Sequence, residues 1–178
     1  ALTQIQSSQN ISSTNLNNAD VISISQEAAK SCIQVFFYRS KQNWGNQSFF
    51  PKHDESHTEE EVLSSFIAQF YENKNAPAEI LINKKIKDLN LIKLALEKKE
   101  KKLISIKVAS KGNALKLTKM AERNAKEALT RKIFESETNT KLLDQVAEKF
   151  KLNILPRLVE VYDNSHIQGA HSVGALIS

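Results

Sequence analysis

Apolar and polar positions change period several times along the chain. VISIS (21–25) alternates between the two, the mark of a half-buried strand. SCIQVFFYR (31–39) is β-branched or aromatic over most of its length and predicts a more deeply buried strand. KQNWGN is turn material, and WGNQSFFP (44–51) returns as a third strand closed by Pro51. Together these runs predict an antiparallel meander. Thr58, with Glu61 three residues on, forms a capping box, and acids at 59–61 suit the positive end of a helix dipole. Val62, Leu63, Phe66, Ile67, Phe70 and Tyr71 then recur at helical spacing. Beyond Pro77, EILI (79–82) predicts a short buried strand, and Asp88 is expected to cap a helix carrying Leu89, Ile92 and Leu96. LISIKV (103–108) alternates as a strand does. Gly112 punctuates, and a long amphipathic helix is predicted over 113–134, with a further helix over 138–150 that aligns Leu142, Leu143, Val146 and Phe150. Pro156 precedes the strand LVEVYD (158–163), and SVGALIS (172–178) follows a glycine-containing turn.

Residues 1–19 are rich in Ser, Asn and Gln. ALTQIQ reads as the last turns of a helix and the rest as linker. From 20 to 134 the order is β-β-β-α-β-α-β-α. Three antiparallel strands followed by two αβ units is the order of ribonuclease H-like folds, so the fold class is α/β with a mixed sheet. Residues 135–157 then form a connecting helix. Residues 158–178, strand-turn-strand, look like the opening hairpin of a second such domain. A strand left in mid-course at the last residue, and a first residue that is not Met, lead us to expect an excised or truncated piece of a longer protein.

Composition adds limits. The chain has 178 residues, 40% of them apolar and 25% charged, with a mean hydropathy of −0.40. That is ordinary for a globular protein with a core. No run approaches the length of a membrane span, and no secretory signal is recognisable. We expect a cytoplasmic protein. The single cysteine, Cys32, lies in an apolar run and reads as a small core residue. The net charge of +5 is unevenly spread: residues 84–132 hold sixteen Lys or Arg against five acids, and residues 53–79 hold seven acids against one lysine. The acidic block is explained by its helix start. The basic block fits a polyanion or, equally, a solvated helix face.

Lys111, Lys116, Lys119, Arg123 and Lys126 fall on or just before one helix, and the last four share a face by their spacing. Such a face can track phosphates without reading sequence. The alternative is a solvated face or one turned towards the acidic helix 59–72. Trp44, Phe49 and Phe50 could stack on bases or pack the meander against its helix. His53 and His57 flank two acids, but in a loop before the capping box, which argues against zinc.

Asp163 ends an apolar alternation of Leu158, Val159, Val161 and Tyr162. A carboxylate within an apolar strand is costly unless paired or metal-bound. It is therefore a candidate ligand for a hard divalent cation, the alternative being an Asx-turn or cap in DNSH. The first module has no acid at the centre of its first strand: Asp20 stands before VISIS, and EILI ends in Asn83. That module is expected to serve as a scaffold or binding surface rather than a metal site.

FFYRSKQNWGNQSFFPK, TEEEVLSSFIAQFY, APAEILIN, KGNALKLTKMAERNAKEAL and VEVYDNSHIQGAHSVGALIS resemble, in order, blocks of the UvrC subunit of the bacterial excinuclease. The last block is the most specific. The resemblance implies nucleotide excision repair, in which the family incises damaged duplex DNA located by UvrA and UvrB. It implies that ALTQIQ ends a UvrB-binding helical motif. It further implies a ribonuclease H-like 5′-endonuclease using Mg²⁺ or Mn²⁺, with Asp163 as its first aspartate. The second aspartate and the catalytic histidine would then fall beyond Ser178, and His166 is not that histidine. Asn164 departs from the apolar residue common in relatives. The isolated chain is expected not to cut DNA. Two other functions stand beside this one: a nucleic-acid-binding module without catalytic history, and a docking domain for partner subunits.

Overall fold

The computed structural model describes residues 16–156, 159–167 and 170–177, and the chain divides after Lys132 into two units. ALTQIQ and the linker that follows it to residue 15 lie outside the described residues.

In the first unit, β1 (Asn18–Glu27), β2 (Lys30–Arg39) and β3 (Gln42–Phe49) form the predicted meander. β1 is longer than VISIS, because Asn18, Ala19 and Asp20 continue the ladder opposite Arg39, Tyr38 and Phe37. Asp20 therefore lies inside the strand, not before it. After α1 (Glu59–Phe70), β4 (Glu79–Ile82) enters parallel to β1, α2 (Leu89–Glu100) follows, and β5 (Ser105–Val108) lies parallel to β4. The sheet order is β3-β2-β1-β4-β5.

Strand periodicity divides the side chains between two faces. Ile22, Ile24, Ile33, Val35, Ile80 and Ile82 form one core with Val62, Leu63, Ile67 and Phe70 of α1 and Leu96 of α2. Ala19, Val21, Phe36, Tyr38 and Leu81 face the other way, against Leu117 and Ala121 of α3 (Gly112–Lys149). Each fully buried large aliphatic side chain contributes roughly 1.5–3 kcal/mol, so the interior isoleucines hold the sheet between its helices.

Local signals hold in part. The Thr58 hydroxyl accepts from the Glu61 amide at 3.3 Å and the Glu61 carboxylate accepts from the Thr58 amide at 3.2 Å, a complete capping box. The bonds that the Thr58 amide and then the Thr58 hydroxyl donate to the Glu61 carboxylate, each at 3.2 Å, hold that carboxyl below its usual pKa. Asp88 does not act as a side-chain cap: it takes a left-handed conformation at φ 56°, and its side chain accepts no cap bond. The two helices expected over 113–134 and 138–150 are one continuous helix, α3. ESETN (135–139) holds weak helix formers but no Gly or Pro, so nothing there stops propagation. The helix ends instead at Lys149; beyond it Lys151 turns left-handed (φ 51°), the Leu152 amide donates to the Ala147 carbonyl and the Lys151 amide to that of Glu148.

The second unit contains β6 (Val161–Ile167) and β7 (Ala170–Ile177), an antiparallel pair. The strand expected over 158–163 starts later and runs on through DNSH, so those residues extend the ladder rather than turning.

Candidate functional site

Three groups of residues are candidates for function: the carboxylate of β1, the carboxylate of β6 and the basic face of α3.

Asp20 is 1% exposed. One of its oxygens accepts from the Arg39 guanidinium at 2.7 Å and the other from the Tyr71 hydroxyl at 2.7 Å. Arg39 also donates to the carbonyls of Ala19 and Tyr38, which fixes the guanidinium across the β1–β2 edge. Burial, then the negative Asp20, push the Tyr71 hydroxyl well above the usual phenol range, so it stays a donor. The cation balancing this carboxylate is a side chain of the neighbouring strand. At the middle of β1, on the face towards α3, stands buried Ser23, whose hydroxyl donates to the Thr118 carbonyl at 2.9 Å. At the end of β4, Asn83 uses its amide twice, accepting from the Ile24 amide at 3.1 Å and donating to the Ile24 carbonyl at 3.0 Å. It behaves as one more rung of the ladder. Sequence reasoning noted Asp20 and Asn83 but missed their partners, because Arg39 and Tyr71 lie 19 and 51 residues from Asp20.

Asp163 is the third residue of β6 and pairs with Ala175 in β7. It therefore sits in a strand, which removes the Asx-turn and helix-cap alternatives. A register shift follows between Ser165 and Ile167, at His166.

His53 and His57 stand near each other, with ring centroids 6.5 Å apart. His53 is already engaged at both nitrogens, by the Ser31 hydroxyl at 2.6 Å and the Asp54 carbonyl at 2.9 Å. Among the described residues no three His, Cys, Asp or Glu side chains converge as a metal site. Asp20 does not fit a metal centre, since both its oxygens are spent on Arg39 and Tyr71.

The basic residues are placed more simply. Lys111 precedes α3, and Lys116, Lys119, Arg123 and Lys126 are exposed along it. Lys119, Arg123 and Lys126 border an open hollow with Ser25, Gln26 and Glu27 from the end of β1 and Glu122 from α3. Arg123 is partly neutralised by Glu127 at 2.9 Å. The acidic start of α1 does not serve as their counter-charge. Glu59 pairs with Lys84 at 2.9 Å and Glu61 with Lys87 at 3.6 Å, and α1 packs on the opposite face of the sheet from α3.

The aromatic residues separate. Phe49 packs with Phe66 and Phe70 at 5.2 and 5.4 Å between centroids, as a core residue. Phe50 is partly exposed beneath Lys132. Trp44 is 71% exposed.

A mixed sheet in the order 3-2-1-4-5, with two helices on one face and a third on the other, defines a ribonuclease H-like module, here with a side-chain cation at its first strand. Residues 18–132 match the family described as the UvrC Ribonuclease H-like domain. The chain belongs to the UvrC family. Curated relatives named UvrABC system protein C extend the match: those of Ruegeria sp. (strain TM1040), Maricaulis maris and Chelativorans sp. are 43%, 44% and 45% identical over 177 residues, 99% of this chain. The chain spans 28%, 28% and 27% of their respective lengths. Among the described residues no helix is long and apolar enough to cross a membrane.

Proposed function

We propose that this chain is the part of an excinuclease incision subunit that grips DNA and supplies one ligand of the 5′-incision centre, working in the cytoplasm with UvrB on the UvrA–UvrB–lesion complex. The observation carrying this reading is the exposed row Lys116, Lys119, Arg123 and Lys126, with Lys111 ahead of it, on the sheet face away from the acidic helix. Lesions occur in any sequence context, and a helix face of cations holds phosphates regardless of sequence. The five-stranded module acts as scaffold and phosphate grip. Asp163 would supply one carboxylate to Mg²⁺ or Mn²⁺, whose chemistry in the complete centre would be to activate water and stabilise the leaving oxygen. One carboxylate does not organise two ions, so this chain alone leaves DNA intact.

The test has two arms. Affinity of the chain for duplex DNA is expected to fall with salt, with a slope of about 0.9 per phosphate contacted. Replacing Lys119 and Lys126 by Gln should lower that slope by about two contacts; a slope that stays the same removes the grip from α3. In a nicking assay with Mn²⁺ the chain should release no product. Robust nicking lost in Asp163→Asn would show that the chain holds a complete centre.

A further inference from the structure

The hairpin of β2 and β3 carries a feature that the packing of the module does not use. Its two-residue turn, Ser40–Lys41, has both residues at positive φ (50° and 64°), the turn whose twist suits a tight hairpin. Beyond it the ladder shifts register. Tyr38 pairs with Asn43 and Phe36 with Asn46, so Trp44 and Gly45 together oppose Phe37. This is a β-bulge on an edge strand, a device that re-aims a side chain. Gly45 makes it possible, at φ 113°, and the Asn43 side chain locks it by accepting from the Gly45 amide at 2.8 Å. The outcome is a tryptophan 71% exposed.

Its surroundings have a definite chemistry. From Tyr38 to Lys52 the chain carries Arg39, Lys41 and Lys52 and no acid. Gln42 and Gln47, on the same strand, are exposed amides, and Lys41 is exposed at the turn. A tryptophan that anchors a protein partner sits among apolar contacts that exclude water. Here the strand neighbours are amides and glycine. A broad π-face, amides able to reach base edges and a nearby cation fit an unpaired nucleotide.

We propose that Trp44 is a stacking platform for an unpaired base, so that the hairpin holds single-stranded DNA while the α3 face holds duplex phosphates. This rests on the reading of the chain as a DNA-gripping module.

Trp44 is the only tryptophan of the chain, so its emission reports on this site alone. The 178-residue chain is titrated with a twelve-residue oligothymidylate, with the same strand carrying abasic residues, and with a twelve-base-pair duplex. The thymidylate is expected to quench the emission saturably and the abasic strand to bind without quenching. Trp44→Ala should weaken thymidylate binding on the order of tenfold, as loss of one stacked base does, and leave duplex affinity unchanged. Trp44→Phe should retain most of the binding. The proposal is overturned if thymidylate saturates the chain without quenching, if the abasic strand quenches equally, or if Trp44→Ala binds thymidylate as the parent does. Salt-dependent duplex binding with a silent Trp44 would overturn the platform and leave the phosphate grip standing. Failure to bind either DNA would overturn both.

Discussion

Asp20 and Asp163 are both the third residue of the strand that opens their sheet, and they differ in what surrounds the strand. Asp20 sits in β1 between two neighbours, β2 and β4, and both its oxygens are taken by Arg39 and Tyr71. Asp163 sits in β6, paired across one edge with β7. A carboxylate deep in a sheet needs a positive partner. In the first unit the chain supplies its own; in the second, the proposed partner is a divalent ion. The same strand position is thus a fastening in the first unit, where β2 brings a guanidinium, and a proposed ligand in the second.

The largest expected effect breaks the fastening. Arg39→Ala leaves a buried carboxylate unpaired and should cost about 3 kcal/mol, read from urea unfolding. Replacing Asp20 by Asn and Arg39 by Gln together should recover most of that loss. Asp163→Asn, a near-isosteric change in a two-stranded sheet, should shift stability by less than about 0.5 kcal/mol. Comparable losses from Arg39→Ala and Asp163→Asn would erase the contrast.

Alkaline pH probes the interior of the first unit. Burial pushes the Cys32 thiol from 9.0 to about 11, against smaller opposing effects of Ser48, the Phe49 backbone and Arg131. The unfolded thiol loses its proton first, so the contribution is whole below about pH 9 and is lost as pH rises towards 11. The slope is at most about 1.4 kcal/mol per pH unit. Tyr71 adds a second decline above about pH 10, because its folded pKa is also raised. Cys32→Ala should remove the first decline, and Asp20→Asn should move phenolate absorbance at Tyr71 towards ordinary pH. An unaltered profile in Cys32→Ala would place the titration elsewhere.

A smaller effect than that of Arg39→Ala separates local from long-range fastening. Thr58→Ala should cost about 1 kcal/mol in thermal unfolding by removing the capping box. Asp88→Ala should cost less, since its side chain accepts no cap bond. Equal losses would mean that Asp88 acts as a cap in solution.

What the sequence disclosed follows the range of the forces involved. The meander, the capping box at Thr58 and the two αβ units were legible because period and turn chemistry are local. Parallel pairing of β1 with β4 was foreseen only through element order. The break predicted near 135 failed because weak helix formers do not end a helix; Gly or Pro is the stronger stop signal, and none stands there. The basic face of α3 was readable from spacing. The captivity of Asp20 was not, since Arg39 and Tyr71 reach it only after the sheet and α1 have assembled.

The two faces of the sheet are unequally provisioned. Among the described residues, the core shared with α1 and α2 gathers sixteen buried residues, whereas the cluster under α3 gathers seven. Sub-global opening starts where the least apolar surface is lost, so warming should loosen α3 from the sheet before the opposite layer yields. The thinner layer is also the one that carries Lys116, Lys119, Arg123 and Lys126. A polyanion settling there would clamp the side most ready to open, so added duplex should slow the local opening of α3 as well as raise the melting temperature by mass action.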